Sequence, residues 1–244
     1  QAYVQRGLVA NWDGIENAGR YGEHRESITA WKDLVAGATW TLPANAVVGE
    51  DCVTYAGSAA SWNTAYTAAT ISKVRNGTLE AAFYVTEACS GQILFGGSGY
   101  RVSMRADSNA DKLTLTASGG ANVPMAVCPI LGLKNTACVT FLSDTPQTAY
   151  TNGFETTFSG NNRIDTTSGT ITSGKDLKGS IYAMRMYGVA LTADEARYNA
   201  AVDAVRFKGE DPAAAFDGCT LARWNSTADV LEVKIQVTTT ESGK

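Results

Sequence analysis

The chain has 244 residues, 24 of them glycine, and a net charge of −4. That length fits one large β-sandwich or two small domains, and a single domain of this size buries roughly 70–75% of its unfolded surface without a metal or disulfide framework. A mildly acidic balance with no Lys/Arg block argues against nucleic acid or an anionic membrane as partner, and no run approaches the ~20 apolar residues of a membrane span.

Taken in chain order, Tyr3 to Trp12 starts as a strand and stops at the turn signal Asp13-Gly14. Residues 15–27 are polar and read as a long loop. Trp31-Lys-Asp-Leu34 leads to a turn at Ala36-Gly37, Thr39 to Leu42 is a strand stopped by Pro43, and Cys52 to Tyr55 is another. Thr78 to Thr86 alternates as a half-buried strand should. Gln92–Phe95, Tyr100–Arg105 and Lys112–Thr116 follow as strands, with Asp107 to Asp111 read as the turn of the last hairpin. Cys138–Leu142 and Thr148–Thr151 come next, and Asn152-Gly153 before Phe154–Phe158 is a strong hairpin signal. Strands recurring every ~8–12 residues predict an all-β antiparallel sandwich.

Gly179 to Asn199 closes the pattern. Its strand ends at Gly188, and Thr192-Ala-Asp-Glu195 opens a helix over 192–206. Thr192 can cap that helix while Glu195 reaches back to the Thr192 amide. Ala196, Ala200, Val202 and Val205 are its expected apolar face. This stretch resembles the last strand and closing helix of laminin-G-like, concanavalin A-like lectin-glucanase domains. Residues 7–20 with Trp31-Lys-Asp-Leu34 resemble the opening of laminin-G-like domains in bacterial surface proteins. The likeness covers roughly residues 4–60 and 175–207. It implies a concanavalin A-like jelly roll with one short C-terminal helix, in which the first strand lies beside the last. Residues 1–208 are assigned to it, and 209–244 to an extension or the start of a following domain. The strand-like Val230 to Thr240 stops abruptly, so a piece of a longer multidomain protein is expected.

Chemistry-bearing residues are sparse. Glycosidases of this fold's laminarinase-like branch carry a pattern close to Glu-x-Asp-x-x-Glu, which alternation aims into one groove. No strand here carries it, and Glu80, Glu87 and Glu155 each lack an acidic residue two positions away. The expectation is therefore a protein that is not an enzyme. His24 is the single histidine and sits in a polar loop, read as a tethering or solvated imidazole. Cys128 and Cys138 flank a hairpin turn at 131–135, open to a disulfide or to two buried apolar thiols. Asp107, Asn109 and Asp111 alternate oxygen ligands as a calcium loop does, with a plain polar turn as the competing reading; Asp13, Glu16, Asn17 and Glu23 form a second acidic cluster. No other cofactor is implied.

Sugars are recognised by aromatic faces beside planar hydrogen-bonding groups. Trp62, Asn63, Tyr66, Tyr100, Arg101, Tyr150 and Asn152 have that composition in or beside loops, whereas Trp12, Trp31 and Trp40 fit a core. The leading expectation is a lectin-like recognition module that binds a glycan or a surface protein, acts in adhesion, and resides outside the cell or on its surface. A structural spacer and a glycoside hydrolase of the same fold stand as alternatives.

Overall fold

The computed structural model describes residues 3–58, 60–62, 76–87, 92–96, 104–109, 112–117, 127–128, 132–142, 145–157, 172–207, 219–225 and 230–235. Among these, the strands in chain order are β1 (Leu8–Asp13), β2 (Ala30–Lys32), β3 (Thr39–Thr41), β4 (Val47–Val48), β5 (Val53–Ala56), β6 (Ala60–Trp62), β7 (Thr78–Val85), β8 (Gln92–Phe95) and β9 (Met104–Asn109). They continue as β10 (Lys112–Ala117), β11 (Val127–Cys128), β12 (Lys134–Leu142), β13 (Thr145–Thr151), β14 (Phe154–Thr157), β15 (Thr172–Ser173), β16 (Lys178–Tyr187), β17 (Cys219–Asn225) and β18 (Val230–Ile235). One helix, α1 (Ala193–Arg206), follows β16.

The large sheet runs β14-β13-β12-β7-β16-β5-β4. Strand β16 is its spine: β7 lies along one edge, while β5 and then β1 share the other. The opposing layer is β15-β6-β3-β2, extended by β10-β9-β8 through a two-bond bridge between Gly96 and Thr172. All named pairings are antiparallel, so the all-β sandwich with one short helix is the observed fold.

Alternation sends one set of side chains from each layer into the space between. Trp12, Trp31 and Trp40 are fully buried there with Phe83, Val139 and Met184. The Trp12 and Trp40 rings lie 5.7 Å apart, and Phe95 meets Trp40 edge-on at 5.9 Å. A β-bulge between Ile181 and Ala183 shifts the phase of β16, so Ile181, Met184 and Met186 all join the core. The other face of β16 is buried too, because α1 packs over it, and nine of its ten residues are buried.

The Asn152-Gly153 turn forms as the sequence requires. Both residues have positive φ, 50° and 79°, as a two-residue primed hairpin turn demands. Gly174 is fixed by space as well as conformation: at φ 71° a Cβ there would sit 2.3 Å from the Tyr55 ring.

Several expectations change. Asp107 and Asn109 lie on β9, paired with Thr114 and Lys112, rather than in a turn. Trp62 is the last residue of β6, paired opposite Trp40. Cys138 is free and faces Glu80 across the β7 ladder, while Cys128 sits on β11, whose partner is β17. The hairpin that would have joined those two thiols does not form, because β12 pairs with β7 and β13 instead. Strand β17 pairs with β18 and with β11.

Candidate functional site on the outer face of the large sheet

The face of the large sheet turned away from the core carries the protein's concentrated chemistry. Thr192 starts α1 with a complete capping box: its hydroxyl accepts from the Glu195 amide at 3.3 Å, and Glu195 accepts from the Thr192 amide at 2.8 Å. The helix docks by only half of the expected apolar stripe, Ala196 and Val202. Its buried residues are Ala196, Asn199, Val202 and Asp203, and Val205 is 81% exposed. The rotation has a partner-side cause, because β16 presents a buried arginine to it.

Arg185 grips Asp203 with both terminal nitrogens, at 2.8 and 2.5 Å, and Glu80 with Nε at 2.9 Å. Asn199 donates to Glu80 at 2.8 Å, and the Tyr3 hydroxyl donates to Asp203 at 2.8 Å. The Tyr3 ring also lies 4.0 Å from the guanidinium carbon. Burial alone would push Arg185 toward neutrality, but Asp203 and Glu80 overcome it and hold the guanidinium charged well above its ordinary range. Burial pushes the Glu80 carboxyl up against the pull of Arg185, and burial followed by the nearby Glu80 charge raises the Cys138 thiol. Only about 10 Å³ of free space remains beside this cluster, room for about one water. It is a sealed ion network that fixes the helix.

Beside it, the same face opens. Strand β1 places Asn11 and Asp13 outward, alternating with core Ala10 and Trp12. The last turn of α1 brings Arg206 over them, donating to Asp13 at 2.7 Å and Glu16 at 2.8 Å. The 15–27 loop forms the far wall. Asp13 anchors it by accepting from the Ile15 and Glu16 amides, the turn-fixing role its position before Gly14 implies. His24 tethers it through Nδ1 to the Ile15 carbonyl at 2.8 Å, and Asn17 exchanges two bonds with Arg25. A cleft of 280 Å³ results, floored by Asn11 and edged by Tyr21, which is 67% exposed. Asn11 is 2% exposed, yet its Oδ1 has no hydrogen-bond partner. A buried acceptor left so costs about 1–3 kcal/mol unless a donor reaches it. A second, shallower trough of 430 Å³ lies past the helix, over Thr54, Tyr84, Lys178 and Ser180.

Of the residues proposed from sequence, Tyr150 and Asn152 are described with their side chains, and both lie away from the cleft. Tyr150 is 6% exposed, packed with Cys138 against Ala196. Asn152 is buried in the hairpin turn, accepting from the Thr136 amide and donating to Asn135. Asn63, Tyr66, Tyr100, Arg101 and Asp111 lie outside the described residues, and of Trp62, Asp107 and Asn109 the backbone pairing is described. Asn11, Tyr21 and Arg206 were not singled out; an exposed tyrosine in a Gly-rich loop was the one local signal available.

No family model and no curated protein matches the chain. Solved structures do. Trypanosoma rangeli sialidase in complex with sialic acid superposes with a TM-score of 0.61 at 16% identity, over 84% of this chain and 34% of that one. A mutant of the same sialidase displaying trans-sialidase activity gives 0.61 at 18% identity, over 85% and 35%. HCR/D-Sa-GBL1/C gives 0.56 at 11% identity, over 80% of this chain and 52% of that one. The fold is thus a sandwich of the concanavalin A-like lectin-glucanase type, and the chain spans about a third of the sialidases' length. The expectation of a protein that is not an enzyme is overturned: chains sharing this sandwich are enzymes. Its premise fails chemically as well, because sialidases use a tyrosine nucleophile rather than the paired carboxylates sought in the sequence. No described helix is long and apolar enough to cross a membrane.

Proposed function

We propose that this chain is the lectin-like sandwich of a sialidase-type glycoside hydrolase, engaging a glycan outside the cell or at its surface. The supporting observation is the superposition on sialidases over 84–85% of the chain. The laminin-G-like opening and closing motifs belong to the same reading, as variants of one sandwich. Sialosides are the substrate class taken from those neighbours.

Release of sialic acid from sialyllactose and from a fluorogenic sialoside, by the native polypeptide that carries this chain and by the chain alone, tests the proposal. Release by the native polypeptide is expected. No release from either sialoside by either form overturns it.

A further inference from the structure

We propose that Asn76-Gly77 is a site of spontaneous deamidation, at which Asn76 becomes aspartate or isoaspartate. The Gly77 backbone nitrogen, after giving its proton to hydroxide, attacks Asn76 Cγ. The bond from Cγ to the side-chain nitrogen breaks, ammonia leaves, and a succinimide ring closes. Water then opens either carbonyl of that ring. One product is aspartate, and the other is isoaspartate, whose main chain runs through Cγ. The net change is one water taken up and one ammonia released. The site is independent of the hydrolase reading, since its chemistry needs only water and this chain.

The chain holds two Asn-Gly pairs, 76–77 and 152–153, and the fold treats them oppositely. Glycine favours ring closure at both, because it has no Cβ to obstruct the approach of its nitrogen. Asn152 is 7% exposed; its Oδ1 accepts from the Thr136 amide at 2.8 Å and its Nδ2 donates to Asn135 at 3.0 Å. That carboxamide is pinned at both ends, and the ring cannot close without breaking both bonds in a buried place. Asn76 is exposed, in the turn that leads into β7. It lies in the solvent that supplies the hydroxide and takes away the ammonia. Gly77 is buried, and its carbonyl accepts from the Phe141 amide at 2.8 Å, so the reaction runs at the rim of the β7–β12 pairing.

The next residue gives the change structural reach. Thr78 is fully buried, and its hydroxyl donates to the Val189 carbonyl at 2.9 Å and accepts from the Leu191 amide at 3.0 Å. It thereby ties the start of β7 to the turn between β16 and α1. Isoaspartate adds a methylene to the main chain directly before Gly77. That extra length pushes Gly77 and Thr78 against the contacts that fix them, and loosens the Phe141 and Leu191 amides. Aspartate at 76 adds charge but no length, and leaves those contacts in place.

The test incubates the full chain at neutral and mildly alkaline pH, folded and in urea. Peptide mapping by mass spectrometry reads deamidation at both pairs, and methyl transfer by an isoaspartate methyltransferase reads isoaspartate. In the folded chain Asn76 is expected to react about tenfold faster than Asn152, and faster as the pH rises, since the attacking nitrogen must lose its proton. In urea the two pairs should react at comparable rates, because the bonds that protect Asn152 are gone. Hydrogen exchange reads the consequence: the isoaspartate fraction should exchange the Phe141 and Leu191 amides about tenfold faster than fresh protein. Freshly prepared Asn76→Asp should exchange them as the parent does, and Asn76 is exposed enough for that variant to fold. Comparable folded-state rates at the two pairs, or an intact Asn76 after an incubation that converts Asn152 in urea, overturns the site. Unchanged exchange in the isoaspartate fraction, or equal loosening by Asn76→Asp, overturns its structural reach. Sialoside cleavage is scored separately, so either reading can fail while the other survives.

Discussion

Arg185 shows how one buried residue sets the position of an entire helix. Its charge is tolerable only because Asp203 and Glu80 surround it, so the cost of breaking the cluster depends on which partner goes. Asp203→Ala removes both terminal guanidinium contacts and the Tyr3 partner, leaving a buried cation half-paired. Thermal or urea unfolding of that variant is expected to show a loss of about 3–5 kcal/mol. Glu80→Gln should differ sharply. The amide oxygen still accepts from Arg185 while Asp203 keeps its two-pronged grip, so a smaller loss than in Asp203→Ala is expected. Equal losses in the two variants would mean that Asp203 is not the dominant partner. None of this was visible in the sequence. Glu80 stands alone among alternating residues, and its partner on β16 is 105 positions away.

At the scale of an element, α1 divides cleanly into what local rules determine and what they do not. Its start was legible because capping is a contact between residues three apart, and Thr192 and Glu195 form both bonds. Its buried face was not, because Asn199 and Asp203 are inward only by virtue of Glu80 and Arg185 on other strands. The Asn152-Gly153 turn was legible for the same local reason, whereas the cleft was half-legible. Asp13 and Glu16 stood out as neighbours, but Arg206 reaches Asp13 from 193 residues further on. The helix start also carries a pH signature. Arg6 bonds Glu195 at 2.8 and 2.6 Å and, with the Thr192 amide, lowers that carboxyl from its ordinary 4.5 to about 2. A depressed carboxylate stabilises the fold fully above 4.5, and the contribution disappears as the pH falls toward 2. Glu195→Gln should therefore cost roughly 0.5–1 kcal/mol at neutral pH, kept small by solvent screening and reduced further by salt. Melting temperatures of the two proteins should converge as the pH drops from 4.5 to 2. A gap that persists unchanged at the acid end would show that the charge is not what Glu195 contributes.

The large sheet is completed where β1 meets β16. Strand β1 pairs with Ala183 to Tyr187, as the laminin-G-like resemblance implied, and completes the half of the β16 edge that β5 leaves open. It serves both faces at once: Ala10 and Trp12 enter the core, while Asn11 and Asp13 floor the cleft. Removing residues 1–13 therefore takes away a fully buried tryptophan, worth about 3–5 kcal/mol by itself, and exposes a row of unpaired β16 backbone groups. Against a typical total stability of about 5–15 kcal/mol, that loss should abolish the single cooperative transition. The truncated chain is expected to lose its near-UV circular dichroism and bind a hydrophobic dye, as a loosely packed sandwich does. A synthetic peptide spanning residues 1–14, added in excess, should dock onto the open edge and restore the aromatic signal, because strand pairing and the Trp12 pocket supply both register and affinity. An unchanged unfolding midpoint in the truncated chain would mean that the two layers hold together without β1, and that the β1–β16 pairing is not what makes the sandwich one cooperative unit.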